Sequence, residues 1–212
     1  MKHIIKRDEP PEFTSWKALA NEEWQPSYRE LGGKEKQAVK KALMEEQGYI
    51  CCYCERRLVD TDSHIEHFRP QSDINCDPLD FSNMLCSCQR ELHRGKPRHC
   101  GNLKKDWFDE ALLISPFDPD CEKCFIFTED GHIYPSGYRT EAASETILHL
   151  GLDIPKIVAL RKSVIEVFLD ENLTREELHD FVVSYLKEGE KLNEFWTTIK
   201  YLFAKDFIYE IS

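Results

Sequence analysis

The chain has no long hydrophobic run. Apolar residues nowhere approach the ~18 in succession that a membrane-spanning helix needs. The opening stretch, "MKHIIKRDEPPEF", also lacks the apolar core of ~7–15 residues that marks a secretory signal. These two absences predict a cytoplasmic protein with no membrane contact. Positive charge is in short supply as well, with 28 Lys and Arg against 39 Asp and Glu, a net charge of −11. Such a balance argues against a free-standing, tight binder of nucleic acid. There is no internal repeat and no low-complexity linker. At 212 residues, 41% hydrophobic and 32% charged, the chain suits one globular domain, or a small core with a helical appendage.

What is present is unevenly spread. Residues 111–212 hold 10 basic and 19 acidic residues, a net of −9. Residues 89–105 hold Arg90, Arg94, Lys96, Arg98, Lys104 and Lys105 against Glu91 alone. The acidity therefore sits in the C-terminal half, and a local basic patch lies in the middle. There are nine cysteines, an odd number, which a cytoplasmic chain keeps reduced. Cys51, Cys52, Cys54, Cys86, Cys88 and Cys100 fall within fifty residues, with Cys76 among them, and such clustering points to metal rather than to disulfides.

A coarse reading gives an α+β chain. Residues 1–30 read as irregular, because "DEPPEF" blocks helix. "KEKQAVKKALMEEQ" (34–47) is built of strong helix formers, with Val39, Leu43 and Met44 able to share a face and Gly48 to end it. "YICCYCERRL" and "HIEHF" are expected to pair as strands. "GNLKKDWFDEALL" opens a short helix after its glycine. Residues 113–135 read as a hairpin about "TEDG". Residues 141–212 read as almost wholly helical, and Thr174 with Glu177 three later forms a capping box. The expected organisation is an N-terminal arm and helix (1–45), a catalytic core (46–110), and a hairpin with a helical C-terminal region (111–212).

Cys51 and Cys54 are spaced C-x2-C, so a tight turn lets both thiolates hold one ion at ~2.3 Å. A second pair must close the tetrahedron. Cys100 with one of Cys86 and Cys88 is the simplest closure, giving a structural Zn²⁺ site. The other C-x2-C, Cys121 and Cys124, has no second pair downstream and is expected to be incidental.

The stretch "HIEHFRP" (64–70) holds two imidazoles and a carboxylate within four positions. Cutting a phosphodiester requires a base near neutrality, for which imidazole is suited, and a divalent cation on the oxygens that gain charge. In a strand, Glu66 and His67 point to opposite faces, while His64 and Glu66 share one. Either Glu66 ligates a cation while His67 acts as base, or His64 and Glu66 form a ligand pair. A zinc deaminase would need Pro-Cys-x2-Cys after His64-Ile65-Glu66, and none follows.

Four motifs occur in a telling order: Cys51-x2-Cys54, then Glu66-His67-Phe68-Arg69-Pro70, then Phe81-Ser82-Asn83 with Cys88, then His99-Cys100-Gly101-Asn102 with Lys104 and Lys105. Over residues 46–110 the chain resembles the HNH nuclease family, with its ββα-metal fold and zinc-knuckle variant. It is most similar to the PtuB family, the HNH subunits of Septu-type anti-phage defence systems, also found with some retrons. The resemblance implies His67 as general base and Glu66 as metal ligand. Asn83 would fix the loop and orient the base, and Asn102 would fill the last metal-binding position for Mg²⁺ or Mn²⁺. It selects Cys88 with Cys100 as the second zinc pair, because they stand in register with Asn83 and Asn102. In departure from the usual knuckle, eleven residues separate Cys88 from Cys100, which leaves Cys86 beside Cys88, and His99 beside Asn102, as alternatives. The family implies a PtuA-like SMC/ABC-type ATPase as partner, with a retron reverse transcriptase and its DNA–RNA product as further candidates. Beside such a centre, Arg69, Arg90, Arg94, Lys96, Arg98, Lys104 and Lys105 are expected to contact nucleic-acid phosphates. The competing expectation is a zinc-stapled adaptor that binds nucleic acid or the ATPase without cutting.

Overall fold

The computed structural model of the protein describes residues 1–92 and 94–204. It is a mixed α/β structure with two small antiparallel sheets, each of two strands, among the described residues. None of its helices is long and apolar enough to cross a membrane.

Helix α1 (Pro11–Lys17) forms where irregular chain is expected. The correction has a simple cause. Pro10 caps the helix in extended conformation and Pro11 takes its first position, where a missing N–H costs nothing and the fixed φ is already helical. Helix α2 (Gly33–Glu46) runs as its strong formers predict and buries Val39, Leu43 and Met44. Gly48, at φ +57°, turns the chain out of the helix, close against Leu192.

The next segment departs from expectation. Residues 49–58 do not form a strand beside "HIEHF". Tyr49 and Glu55 both adopt positive φ, and the chain closes on itself, with the Cys51 N–H donating to the Arg56 carbonyl (2.8 Å) and the Glu55 N–H to the Cys51 carbonyl (3.0 Å). Left-handed residues break a strand ladder, and here they make the turn that Cys51-x2-Cys54 requires. An isolated bridge, Ile50 to Arg57, closes the segment on itself. The strand β1 (Ser63–His67) instead pairs antiparallel with β2 (Met84–Cys88), placing Ser63 opposite Cys88 and His67 opposite Met84. Gln47 locks α2 to this pair. Its side chain donates to the Cys86 carbonyl (2.8 Å) and accepts from the Cys86 N–H (2.7 Å).

A single helical turn, α3 (Gly101–Lys104), follows Cys100. The expected hairpin forms as β3 (Phe125–Phe127) and β4 (Ile133–Pro135), with Gly131 at φ +92° in its turn. Then come α4 (Thr140–Leu150), α5 (Pro155–Ile165), α6 (Arg175–Leu186) and α7 (Trp196–Phe203). The capping box at Thr174 and Glu177 is formed in both directions. The expected last helix reaches Phe207 in sequence, and its residues beyond 204 lie outside the described residues.

One core gathers Phe13 and Leu43 from the N-terminal part, the cysteines and both strands from the middle, and Leu150 and Ile157 from the C-terminal part. A second cluster, including Phe168, Val182, Trp196 and Ile199, packs the C-terminal helices together. The two are tied through the cysteine turn. Buried Glu55 accepts from the Thr197 N–H (2.8 Å) and hydroxyl and pairs with the α-ammonium of Met1 (2.8 Å).

Candidate active site and thiol cluster

Two clusters of donors border the β1–β2 pair. At the Cys88 end, Cys51, Cys54, Cys88 and Cys100 converge, their four sulfurs lying within 4.8 Å of one another and all buried. The cysteine turn supplies two, the end of β2 supplies the third, and the residue before α3 supplies the fourth. Cys54 and Cys88 sulfurs are 3.7 Å apart, and those of Cys88 and Cys100 are 3.9 Å apart. Four thiolates at ~2.3 Å from one tetrahedral ion stand ~3.8 Å from each other, so the set fits zinc. Electrostatics point the same way. Burial pushes the Cys100 thiol well above its usual range, and at Cys51 the thiols of Cys100, Cys52, Cys54 and Cys88 overcome that penalty and hold it low. Four thiolates together need a cation, and a dication removes the obstacle.

Cys86 is not part of this group. It lies in β2 two residues before Cys88, and its sulfur is not among the four that converge. Its thiol is pushed up to about 12 by burial. His99 lies at the thiol cluster, its Nδ1 3.3 Å from the Cys100 sulfur, and burial lowers it to about 4. The second C-x2-C pair meets only backbone: the Cys121 thiol donates to the Met1 carbonyl (3.5 Å) and the Cys124 thiol to the Asp120 carbonyl (3.7 Å).

Along β1 stand His64, Glu66 and His67, opposite Ser87, Leu85 and Met84 of β2. The His67 imidazole is buried, edge-on to Tyr28 at 4.6 Å between ring centres. Its Nε2 lies 3.0 Å from the Pro78 carbonyl and its Nδ1 3.1 Å from the Gln71 amide nitrogen. A carbonyl can only accept, so Nε2 carries the proton, and in the neutral ring Nδ1 is left with the free lone pair, which Gln71 donates to. Burial, assisted by the nearby Lys104 ammonium, lowers His67 below the ordinary imidazole value and keeps it neutral near pH 7.

Glu66 points to the opposite face. Its Oε1 receives the Lys104 ammonium at 3.1 Å and the Tyr53 hydroxyl at 3.3 Å. Its Oε2 faces His64 Nε2 at 3.6 Å. The Nδ1 of His64 is buried and has no hydrogen-bond partner. A side chain on Gly101 would run into Glu66 Oε2 and come within 2.9 Å of His64 Nε2, so this glycine is what lets α3 approach the pair. One carboxylate oxygen and one imidazole nitrogen, held side by side with neither in a hydrogen bond among the described residues, form a donor set that fits a hard or borderline divalent cation.

Asn83 holds the loop that follows β1. Its Oδ1 accepts from the Arg69 N–H (2.8 Å), its Nδ2 donates to the Arg69 carbonyl (2.9 Å), and its own carbonyl accepts from the Phe68 N–H (2.9 Å). It therefore fixes the chain immediately after His67, while Pro78 and Gln71 set the ring. Asn102 donates its amide to the Gln89 carbonyl, on the thiol side of α3 rather than to Glu66.

The expected phosphate contacts divide. Arg90, Arg94, Lys96, Arg98 and Lys105 are exposed. Arg69 is paired with Asp73 (3.0 Å) and stacked on Phe108. Lys104 is buried, its ammonium spent on Glu66 and on the His67 carbonyl (3.1 Å). Sequence reasoning missed Pro78, Gln71, Tyr28 and Tyr53. Only Tyr53 carried a signal, its place inside the C-x2-C turn.

No family model matches the chain. Among curated proteins, it is 32% identical over 162 residues to a protein of Vibrio cholerae serotype O1 biovar El Tor, named as a candidate HNH endonuclease of retron Vc95. The match covers 73% of this chain and 77% of that relative.

Proposed function

The chain belongs to the HNH endonuclease family, and from that premise we propose that it hydrolyses phosphodiester bonds in nucleic acid with the His64, Glu66 and His67 cluster as its active centre. The observation that carries this reading is the state of His67: neutral, locked by Pro78 and Gln71, with the lone pair of Nδ1 presented as a base. In this reading a water displaces the Gln71 amide and gives its proton to Nδ1 as it attacks phosphorus. Glu66, with His64 beside it on the same strand face, would hold a divalent cation such as Mg²⁺ or Mn²⁺. Such an ion supplies stabilisation of the charge that builds on the phosphoryl and leaving oxygens. Asn83 keeps the loop after His67 in place, and Lys104 and Tyr53 fix the Glu66 carboxylate from behind. The two strands followed by α3, with the thiols at one end, form the ββα-metal centre of this reading, and the thiol cluster holds a structural zinc.

The cellular role we propose is that of an effector in anti-phage defence, of the Septu and PtuB kind, working with a PtuA-like ATPase. The retron relative supports the setting. The acidity of the C-terminal half supports the need for a partner, since a net charge of −11 weakens the overall attraction of the chain for nucleic acid. The test is cleavage of labelled DNA and RNA by the purified chain, with and without the ATPase, in Mg²⁺ or Mn²⁺. His67→Ala should abolish cleavage and retain the circular dichroism and zinc content of the parent. Equal cleavage by that variant would overturn the assignment, and binding without cleavage by the unaltered chain would favour the adaptor reading.

A further inference from the structure

Two clefts flank the β1–β2 pair, and their charge is opposite. One, of about 440 Å³, lies on the Asn83 side and is walled by Asp77, Asp80, Glu110 and Asp118. Its two arginines are already engaged, Arg69 with Asp73 at 3.0 Å and Arg139 with Asp118 at 2.9 Å. The other, of about 370 Å³, lies between α2 and the start of β1 and is walled by Tyr28, Lys36, Lys40, Asp60, His64 and Arg90. Here Lys40 is paired with Asp60 (2.9 Å), but Lys36 and Arg90 have no carboxylate partner among the described residues. The Lys36 ammonium stands 5.4 Å over the Tyr28 ring, and Tyr28 is the ring packed on His67. His64 lines this cleft and also faces Glu66.

We propose that the cleft between α2 and β1 is the path by which the sugar–phosphate backbone of a nucleic-acid strand reaches the active centre, with Lys36 and Arg90 as its phosphate contacts. This rests on the nuclease reading above. A polyanion is repelled by the carboxylates of the first cleft and attracted by the unpaired cations of the second. The two cations come from different elements, α2 and the loop after β2, so they face a strand from both sides. His64, which lines the cleft, also faces the Glu66 carboxylate at 3.6 Å. Contacts of this kind are to phosphate, so they grip any sequence.

The test uses the full chain as His67→Ala, which leaves the bound strand uncut. Fluorescein-labelled single-stranded DNA and RNA oligonucleotides are titrated by anisotropy over a range of salt. Lys36→Glu and Arg90→Glu should each weaken binding at least tenfold, and neutral Lys36→Gln and Arg90→Gln should each reduce the salt slope by about one. Lys187→Glu, exposed on the far end of α6, should leave binding unchanged. Binding by the cleft variants equal to the parent overturns the path. If the otherwise unaltered chain still cuts when these lysine and arginine changes are present, the nuclease reading stands without the path. A chain that neither binds nor cuts either nucleic acid in Mg²⁺ or Mn²⁺, with or without the ATPase, overturns both.

Discussion

The two donor clusters on one short strand pair differ in kind. At the Cys88 end the donors are four sulfurs of one kind, all buried, with the spacing of a closed tetrahedron. Along β1 the donors are mixed, one carboxylate and two imidazoles, and one of them, His64, lines a cleft. A closed set of soft ligands leaves no position for substrate and serves the fold. An open set of hard and borderline donors leaves positions for water and phosphate. The same five residue pairs therefore border the thiol cluster and carry the proposed reactive centre.

That contrast can be broken by substitution. Cys54→Ser should have the largest effect on stability, with loss of bound zinc by elemental analysis and loss of cooperative unfolding, because the binding energy of such a site is folding energy. A soluble variant that lacks zinc and still unfolds cooperatively would erase the distinction. Next comes Lys104→Met, which strands the Glu66 carboxylate in the interior and should cost about 3–5 kcal/mol in urea unfolding. Adding Glu66→Gln should recover most of that loss, and a double-mutant cycle that shows simple additivity would deny the coupling. Smaller still is Asn83→Ala, which removes two bonds to the Arg69 backbone and should cost about 1–3 kcal/mol, while lowering turnover through a looser His67 loop. Smallest is Cys121→Ala. That thiol has the same C-x2-C spacing as Cys51 but meets only a backbone carbonyl, so it should cost about 1 kcal/mol and leave zinc content unchanged. A fall in zinc content there would mean that spacing alone recruits the ion.

Much of the staple could be read from residue order. Cys51, Cys54, Cys88 and Cys100 are the four that meet, and α2 and α6 follow from strong helix formers and from a capping box. What could not be read has physical causes. The partner of β1 was hidden because a C-x2-C turn between aromatic and branched residues looks like a strand until Tyr49 and Glu55 take positive φ. Helix α1 was hidden because two prolines that bar a helix interior also start one. Lys104 looked like one more surface cation beside Lys105, and its burial depends on where the fold places the Glu66 carboxylate. The group that orients His67 is the backbone carbonyl of Pro78, and any residue at that position offers the same atom.

The single turn of α3 starts at a thiol of the cluster, Cys100, and ends four residues later at the ammonium that braces Glu66. Withdrawing the sulfur-bound ion would release that turn and with it the carboxylate's counter-charge. On the proposed function, a chelator would then act twice over, once by taking a divalent ion held by Glu66 and once by slackening its frame. Reconstitution should accordingly show an order of addition: zinc first restores the frame and no turnover, and magnesium or manganese afterwards restores turnover, whereas magnesium given first to the stripped chain restores neither.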